Sequence, residues 1–143
     1  MKKALYKLLF ISVILSSCDR EITLENDPND ISEAVAQMSE FYGLYANSKY
    51  DSIWIKYNPP FSKQDFLSVS KERESRIGSI EQVKSKLVKT TSVSNSNGLK
   101  KDYIISLEGK YVGGTTEEIL TIQIINGKAR IIGYSIEKIY EGR

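Results

Sequence analysis

Histidine is absent from this 143-residue chain, and cysteine occurs once, at position 18. Without histidine, the side chain that most often exchanges protons near neutral pH is missing, so no serine or cysteine nucleophile has a histidine base. A lone thiol forms no intrachain disulfide, and a zinc centre of the common Cys/His kind is excluded. There is no glycine-rich phosphate loop either, because Gly113-Gly114 lies between two alternating segments with no helix pattern after it. The apolar run near the start, Leu8 to Leu15, is far short of the ~20 residues a helix needs to cross a bilayer.

That run has informative flanks. Lys2, Lys3 and Lys7 precede it, Ser12 alone interrupts it, and Ser16-Ser17-Cys18 closes it. A positive start, a short apolar stretch and small closing residues describe a secretory signal. Leu15-Ser16-Ser17-Cys18 resembles the lipobox of bacterial lipoproteins. The resemblance implies cleavage between Ser17 and Cys18, a diacylglycerol on the Cys18 sulfur and a palmitate-type acyl group on the new amino terminus. Two or more acyl chains anchor stably where one is marginal. The expected address is the bacterial cell envelope, with membrane attachment through lipid and with both inner and outer membrane left open.

Loss of the signal changes the charge. Three of the 20 lysines and arginines lie in it, leaving 17 basic against 18 acidic residues. A mature net charge near −1 argues against nucleic acid as a partner. The chain then divides into a signal (1–17), a lipidated tether (18–29) and one domain (30–143). The segment Asp19 to Asn29 is polar and acidic, with Pro28 inside it. An ordered first strand through Ile22 and Leu24 is the alternative.

Within the domain, Asp30 and Glu33 form a capping-box-like pair. Ile31, Val35, Met38, Tyr42 and Tyr45 follow at helical spacing with Phe41 beside them. A short helix from Tyr50 to Tyr57 is stopped by Asn58-Pro59-Pro60. Ser62 and Asp65 open a third, burying Phe66, Val69 and Ile77 and ending at Gly78. Arg73 and Arg76 beside Glu72 and Glu74 read as its solvated face. The period then changes to two. Tyr103, Ile105 and Leu107, with Leu120, Ile122 and Ile124, mark one inward sheet face, and Asn126-Gly127 is a strong hairpin signal. Ile131 and Ile132 are both apolar, so the last strand has no single phase, and Gly133 suits a bulge. The expected fold class is α+β, with N-terminal helices packed on a curved antiparallel sheet of about four strands.

Tyr50-Asp51-Ser52-Ile53-Trp54, Arg76-Ile77-Gly78, Glu117 to Ile122, Asn126-Gly127 and Gly133-Tyr134-Ser135-Ile136 carry a further resemblance. From about Glu40 to Lys138 the chain resembles an envelope domain family of unknown function within the cystatin-like, nuclear-transport-factor-2-like superfamily. Ala129 stands where that family usually has tryptophan, and Lys84 and Lys86 where it has arginine. Some superfamily enzymes use aspartate and tyrosine in the cone between helices and sheet. Asp51, Asp65 and Asp102 with Tyr45, Tyr103 or Tyr134 would be the material here. Nine tyrosines and one tryptophan also supply a candidate pocket lining, Tyr45, Trp54, Tyr103 and Tyr134, with a filled core as the alternative.

These features lead to the expectation of a lipid-anchored, non-catalytic binding or interaction module. It would need no cofactor or metal and would take an envelope protein or small ligand as partner. An accessory or inhibitory, immunity-type subunit is the alternative, and an Asp/Tyr enzyme the second. Mass analysis of the membrane fraction is expected to show a mature chain beginning at acylated Cys18. Cys18→Ser should retain the signal and lose the lipid, and an unmodified mature chain starting elsewhere would overturn the lipobox reading.

Overall fold

Helical periodicity up to Ile77 and alternation after it translate directly into three helices followed by four long strands. The structure is a computed structural model describing residues 20–142. The expected signal, with the cleavage position expected at Ser17 and the lipidation expected at Cys18, lies outside the described residues. The elements are β1 (Ile22–Glu25), α1 (Pro28–Ala46), α2 (Tyr50–Tyr57), α3 (Lys63–Ile77), β2 (Ile80–Asn95), β3 (Gly98–Tyr111), β4 (Gly114–Ile125) and β5 (Lys128–Glu141). All neighbouring strands are antiparallel, in the order β1-β2-β3-β4-β5. The fold class is α+β. Among the described residues, no helix is long and apolar enough to cross a membrane.

The sheet has five strands rather than about four. All four β1 side chains are exposed, so no alternation marks the strand in the sequence. It exists because its backbone pairs with the end of β2, Ile22 opposite Ser94 and Glu25 opposite Thr91. The segment expected to be a tether up to Asn29 is therefore structured from Ile22 onward. The start of α1 also differs from expectation. Asp27 caps it by accepting from the Asn29 amide at 2.9 Å, and Pro28 occupies the first turn, where its missing N–H removes no helical bond. Asp30 and Glu33 are left free to reach across to the sheet.

α3 follows the expected limits. The Ser62 hydroxyl accepts from the Asp65 amide, and Gly78 closes the helix at φ 78. A Cβ at Gly78 would stand 3.0 Å from that of Val112, so glycine is required both by φ and by the close approach. Its buried stripe is Phe66, Ser70, Arg73 and Ile77, while Val69 is exposed. The reading of Arg73 as part of a solvated face is thus corrected: Arg73 is only 2% exposed.

The inward sheet face is as expected, with Tyr103, Ile105, Leu107, Leu120, Ile122 and Ile124 all buried against Ala34, Met38, Phe41 and Tyr42 of α1 and Ile53 of α2. A bulge settles the last strand. Thr121 pairs with Gly133 and Ile122 with Ile131, so Ile132 has no partner. Ile131 is fully buried and Ile132 is 41% exposed. The β4–β5 turn places Asn126 and Gly127 both at positive φ.

Truncating a fully enclosed β4 side chain, Ile122→Ala, should cost about 2–5 kcal/mol through lost burial and residual cavity. Ile104→Ala, on the opposite solvent-facing side of the sheet, should stay within about 0.5 kcal/mol. Urea unfolding of the two variants measures the contrast.

Candidate functional site

A carboxylate, not a cavity, occupies the space between helices and sheet. Glu118 of β4 is 1% exposed, with its side chain among the inward-facing residues of the sheet. One of its oxygens accepts from Thr116 at 2.5 Å, Tyr111 at 3.1 Å and Arg73 at 3.3 Å. The other accepts from Tyr134 at 2.8 Å and from Tyr42 in a short bond. A carboxylate offers about four lone-pair sites. Five donors therefore saturate Glu118 and leave no acceptor position open toward a ligand.

Arg73 is the counter-ion. One of its terminal nitrogens also donates to the Tyr134 hydroxyl at 2.5 Å, and its guanidinium lies 5.0 Å from the ring centres of both Tyr45 and Tyr111. Its Nε has no hydrogen-bond partner. Burial alone would push this guanidinium down, yet the Tyr134, Glu118 and Tyr111 oxygens hold it above its ordinary value, so it stays charged. Burial likewise raises the Tyr42, Tyr111 and Tyr134 phenols, helped by the Glu118 charge. Tyr45 is pushed up to about 12, chiefly by burial. Tyr42, Tyr111 and Tyr134 are thus held protonated, as donors to one anion. The arrangement suits fixing structure rather than moving protons.

A second cluster joins α1 to the sheet. Lys101 pairs with Asp30 at 2.8 Å and Glu33 at 2.6 Å, Tyr103 donates to Glu33 at 2.8 Å, and Ser92 donates to Asp30 in a short bond. Burial acts to raise the Asp30 carboxyl, but the bonds from Lys101 and Ser92 outweigh it and hold it below the ordinary 3.8. The same balance, with Lys101 and Tyr103 as donors, holds Glu33 below 4.5.

The four candidate pocket residues are not brought together around a space. Tyr45 is core, its hydroxyl donating to Glu74 at 2.7 Å. Tyr103 is core and tied to Glu33. Trp54 packs edge-on against Phe61 and Phe66, at 6.0 and 5.5 Å. Tyr134 alone borders a groove, an apolar one of about 320 Å³ that it lines with Phe61, Phe66, Val69 and Ile136. Of the aspartates named as catalytic material, Asp51 is exposed and paired with Lys63, Asp102 accepts from Gln123 and faces Lys100, and Asp65, exposed in the first turn of α3, borders the same groove as Tyr134. The interior is filled, and open space lies outside it. A groove of about 650 Å³ runs between the end of α2 and the β4–β5 turn, lined by Gln37, Ile55, Lys56, Lys128 and Arg130 among others.

Sequence reasoning missed Arg73 and Glu118, though both carry a signal. Glu118 shares the parity of Leu120, Ile122 and Ile124, and Arg73 falls at helical spacing from Phe66 and Ile77. Comparison of the chain with protein-family models, curated proteins and solved structures finds no match.

Glu118→Ala should cost about 3–5 kcal/mol because it strands the Arg73 charge in the core, whereas pairing it with Arg73→Met should restore much of the loss. Urea midpoints of the single and double variants test this non-additivity. The lowered Asp30 and Glu33 values also set a pH window. A carboxylate depressed in the folded state contributes its full stabilisation above its unfolded value, here up to 4.5, and loses it as pH falls through the folded value. Urea unfolding at successively lower pH should show an acid limb that Lys101→Met flattens.

Proposed function

We propose that the chain is a lipid-anchored envelope lipoprotein whose folded domain is a non-catalytic interaction module, working through its surface on another envelope protein. The observation that carries the anchor is Cys18, the single thiol, placed at the end of a charged-then-apolar leader after Leu15-Ser16-Ser17. The interaction role is supported by the interior. Aromatic side chains and the Arg73–Glu118 pair fill the cone where a small ligand would otherwise sit, and Glu118 has no acceptor position left. Binding then falls to grooves on the outside, which favours a protein partner, in an accessory or inhibitory (immunity-type) role, over an enclosed metabolite. Helices on one face of a bulged antiparallel sheet also support our assignment of the domain to the cystatin-like, nuclear-transport-factor-2-like superfamily.

The apolar groove between α3 and β5 is the surface to test, because Phe61, Val69 and Ile136 line it on a free sheet edge. Crosslinking of the full chain in intact membranes should capture one envelope protein at fixed stoichiometry. Val69→Asp should abolish that capture while leaving the urea midpoint within about 0.5 kcal/mol of the parent, as an exposed substitution does. Capture that Val69→Asp leaves intact would remove this groove. A thermal shift with envelope metabolites, in the absence of any captured protein, would replace the partner with a small ligand.

A further inference from the structure

The two ends of the sheet differ in composition. One end is built from the start of β1, the β2–β3 turn and the β4–β5 turn, since Ile22 pairs with Ser94, Ser94 with Leu99, and Ile125 with both Lys100 and Lys128. α2 runs back to this end and finishes at Asn58 beside Gly127 and Lys128. Large apolar side chains stand in solvent here: Ile55 at 86%, Ile125 at 47% and Leu99 at 39% exposure. Lys56, which is paired with Glu40, and Lys128 and Arg130 line the groove with Ile55 and Ile125, and no carboxylate is in its lining. Among the described residues, neither Lys128 nor Arg130 forms an ion pair. At the other end cations are neutralised in pairs, Arg76 with Glu141, Lys110 with Glu81, Lys138 with Glu117.

Chain length adds the second constraint. Cys18 lies four residues before Ile22. Fully extended, four residues span ~14 Å. A lipid on Cys18 therefore holds the bilayer within that distance of the end where β1 begins. The opposite end, a β3 length away, is ~45 Å further off. The end that the anchor brings to the membrane is thus the one where Lys128 and Arg130 stand unpaired among the described residues, beside exposed Ile55 and Ile125, whereas the far end, which also exposes Val112 and Tyr140, holds the paired cations Arg76, Lys110 and Lys138. The exposed carboxylates Glu21 and Glu25 belong to the β1 side, separated from the β5 groove by four strand spacings, or ~19 Å, while Glu40 is engaged by Lys56.

We propose that this end of the domain, centred on the groove of Lys56, Lys128 and Arg130 with Ile55 and Ile125, is the surface on which the domain rests against an anionic phospholipid bilayer. The proposal rests on the lipid anchor at Cys18. The anchor supplies attachment at one corner, and the cations at the opposite corner fix orientation. Anionic headgroups attract basic side chains only within about a Debye length, ~8–10 Å. A tether of ~14 Å lets the surface come within that range, so contacts that hold a free protein only weakly suffice to orient a tethered one. The apolar side chains of Ile55 and Ile125 then enter the headgroup boundary. The free α3–β5 groove is left facing sideways, open to a partner.

The test uses the full chain, produced with its signal and reconstituted into phosphatidylcholine vesicles with and without phosphatidylglycerol. An environment-sensitive fluorophore is placed in turn at Ile55→Cys, Leu99→Cys and Val112→Cys, and a quencher is carried on the lipid. Quenching should be strong at 55 and 99 and weak at 112. It should require phosphatidylglycerol, fall as salt rises, and drop several-fold when Lys128→Glu and Arg130→Glu are introduced. Quenching that ignores phosphatidylglycerol and the charge reversals, on a chain whose Cys18 is acylated by mass, overturns the resting surface while the anchor stands. If Cys18 carries no lipid, the anchor reading fails. The same chain is then sedimented with the vesicles: binding abolished by Lys128→Glu with Arg130→Glu keeps the surface, and no binding overturns it.

Discussion

The Glu118 carboxylate is the constraint on which the rest of the domain depends. A charge in the core is tolerated only when opposed and fully hydrogen-bonded. Here its donors come from five different elements: Tyr42 on α1, Arg73 on α3, Tyr111 on β3, Thr116 on β4 itself and Tyr134 on β5. Slipping β4 by one residue would turn Glu118 outward and leave Arg73 buried with its charge unopposed. Moving α3 by a turn would do the same from the other side. Such a pair adds little net stability over apolar side chains of equal size, but it disfavours every alternative register. Three long antiparallel pairings with two bulged strands benefit from that selectivity.

The same cluster fills the space between helices and sheet. Tyrosines that the sequence offers as a pocket lining are instead donors to a carboxylate, edges in an aromatic core, or both. Phe66 alone packs near Phe41, Tyr45, Trp54, Phe61 and Tyr134. With the interior closed, the chemical features left for partners are external: an apolar groove along β5 and a cationic end near the chain's start. The tethered module we propose, resting on one end and offering its side to a partner, would use both.

Much of the architecture was legible in the residues. Ser62 as a helix cap, Gly78 as a helix end, Asn126-Gly127 as a tight turn and the alternation from Tyr103 to Ile124 each follow from local stereochemistry, and each is found as expected. Local rules failed where a residue had two valid uses. Asp30 could cap a helix or meet a lysine, and Lys101 from β3 won it. Pro28 could break a tether or start a helix, and Asp27 in front of it decided for the helix. β1 left no pattern, because an edge strand exposed on both faces is selected by backbone pairing alone. The charged run around Arg73 looked solvated because four neighbouring charges usually are.

By itself the sequence determined the change from helix to strand, the inward face of the central strands, the tight turns, and a chain without histidine whose one thiol stands at a lipobox-like position. These follow from periodicity, φ preferences and composition, which act over a few residues. Tertiary structure decided that Arg73 and Glu118 meet inside, that the last strand bulges at Ile132, and that the start of β1 lies at the cationic end of the sheet. Those outcomes depend on which residues meet between elements, a charge pair 45 residues apart for Arg73 and Glu118 and backbone pairing for β1 and β5, and no local pattern encodes such a meeting.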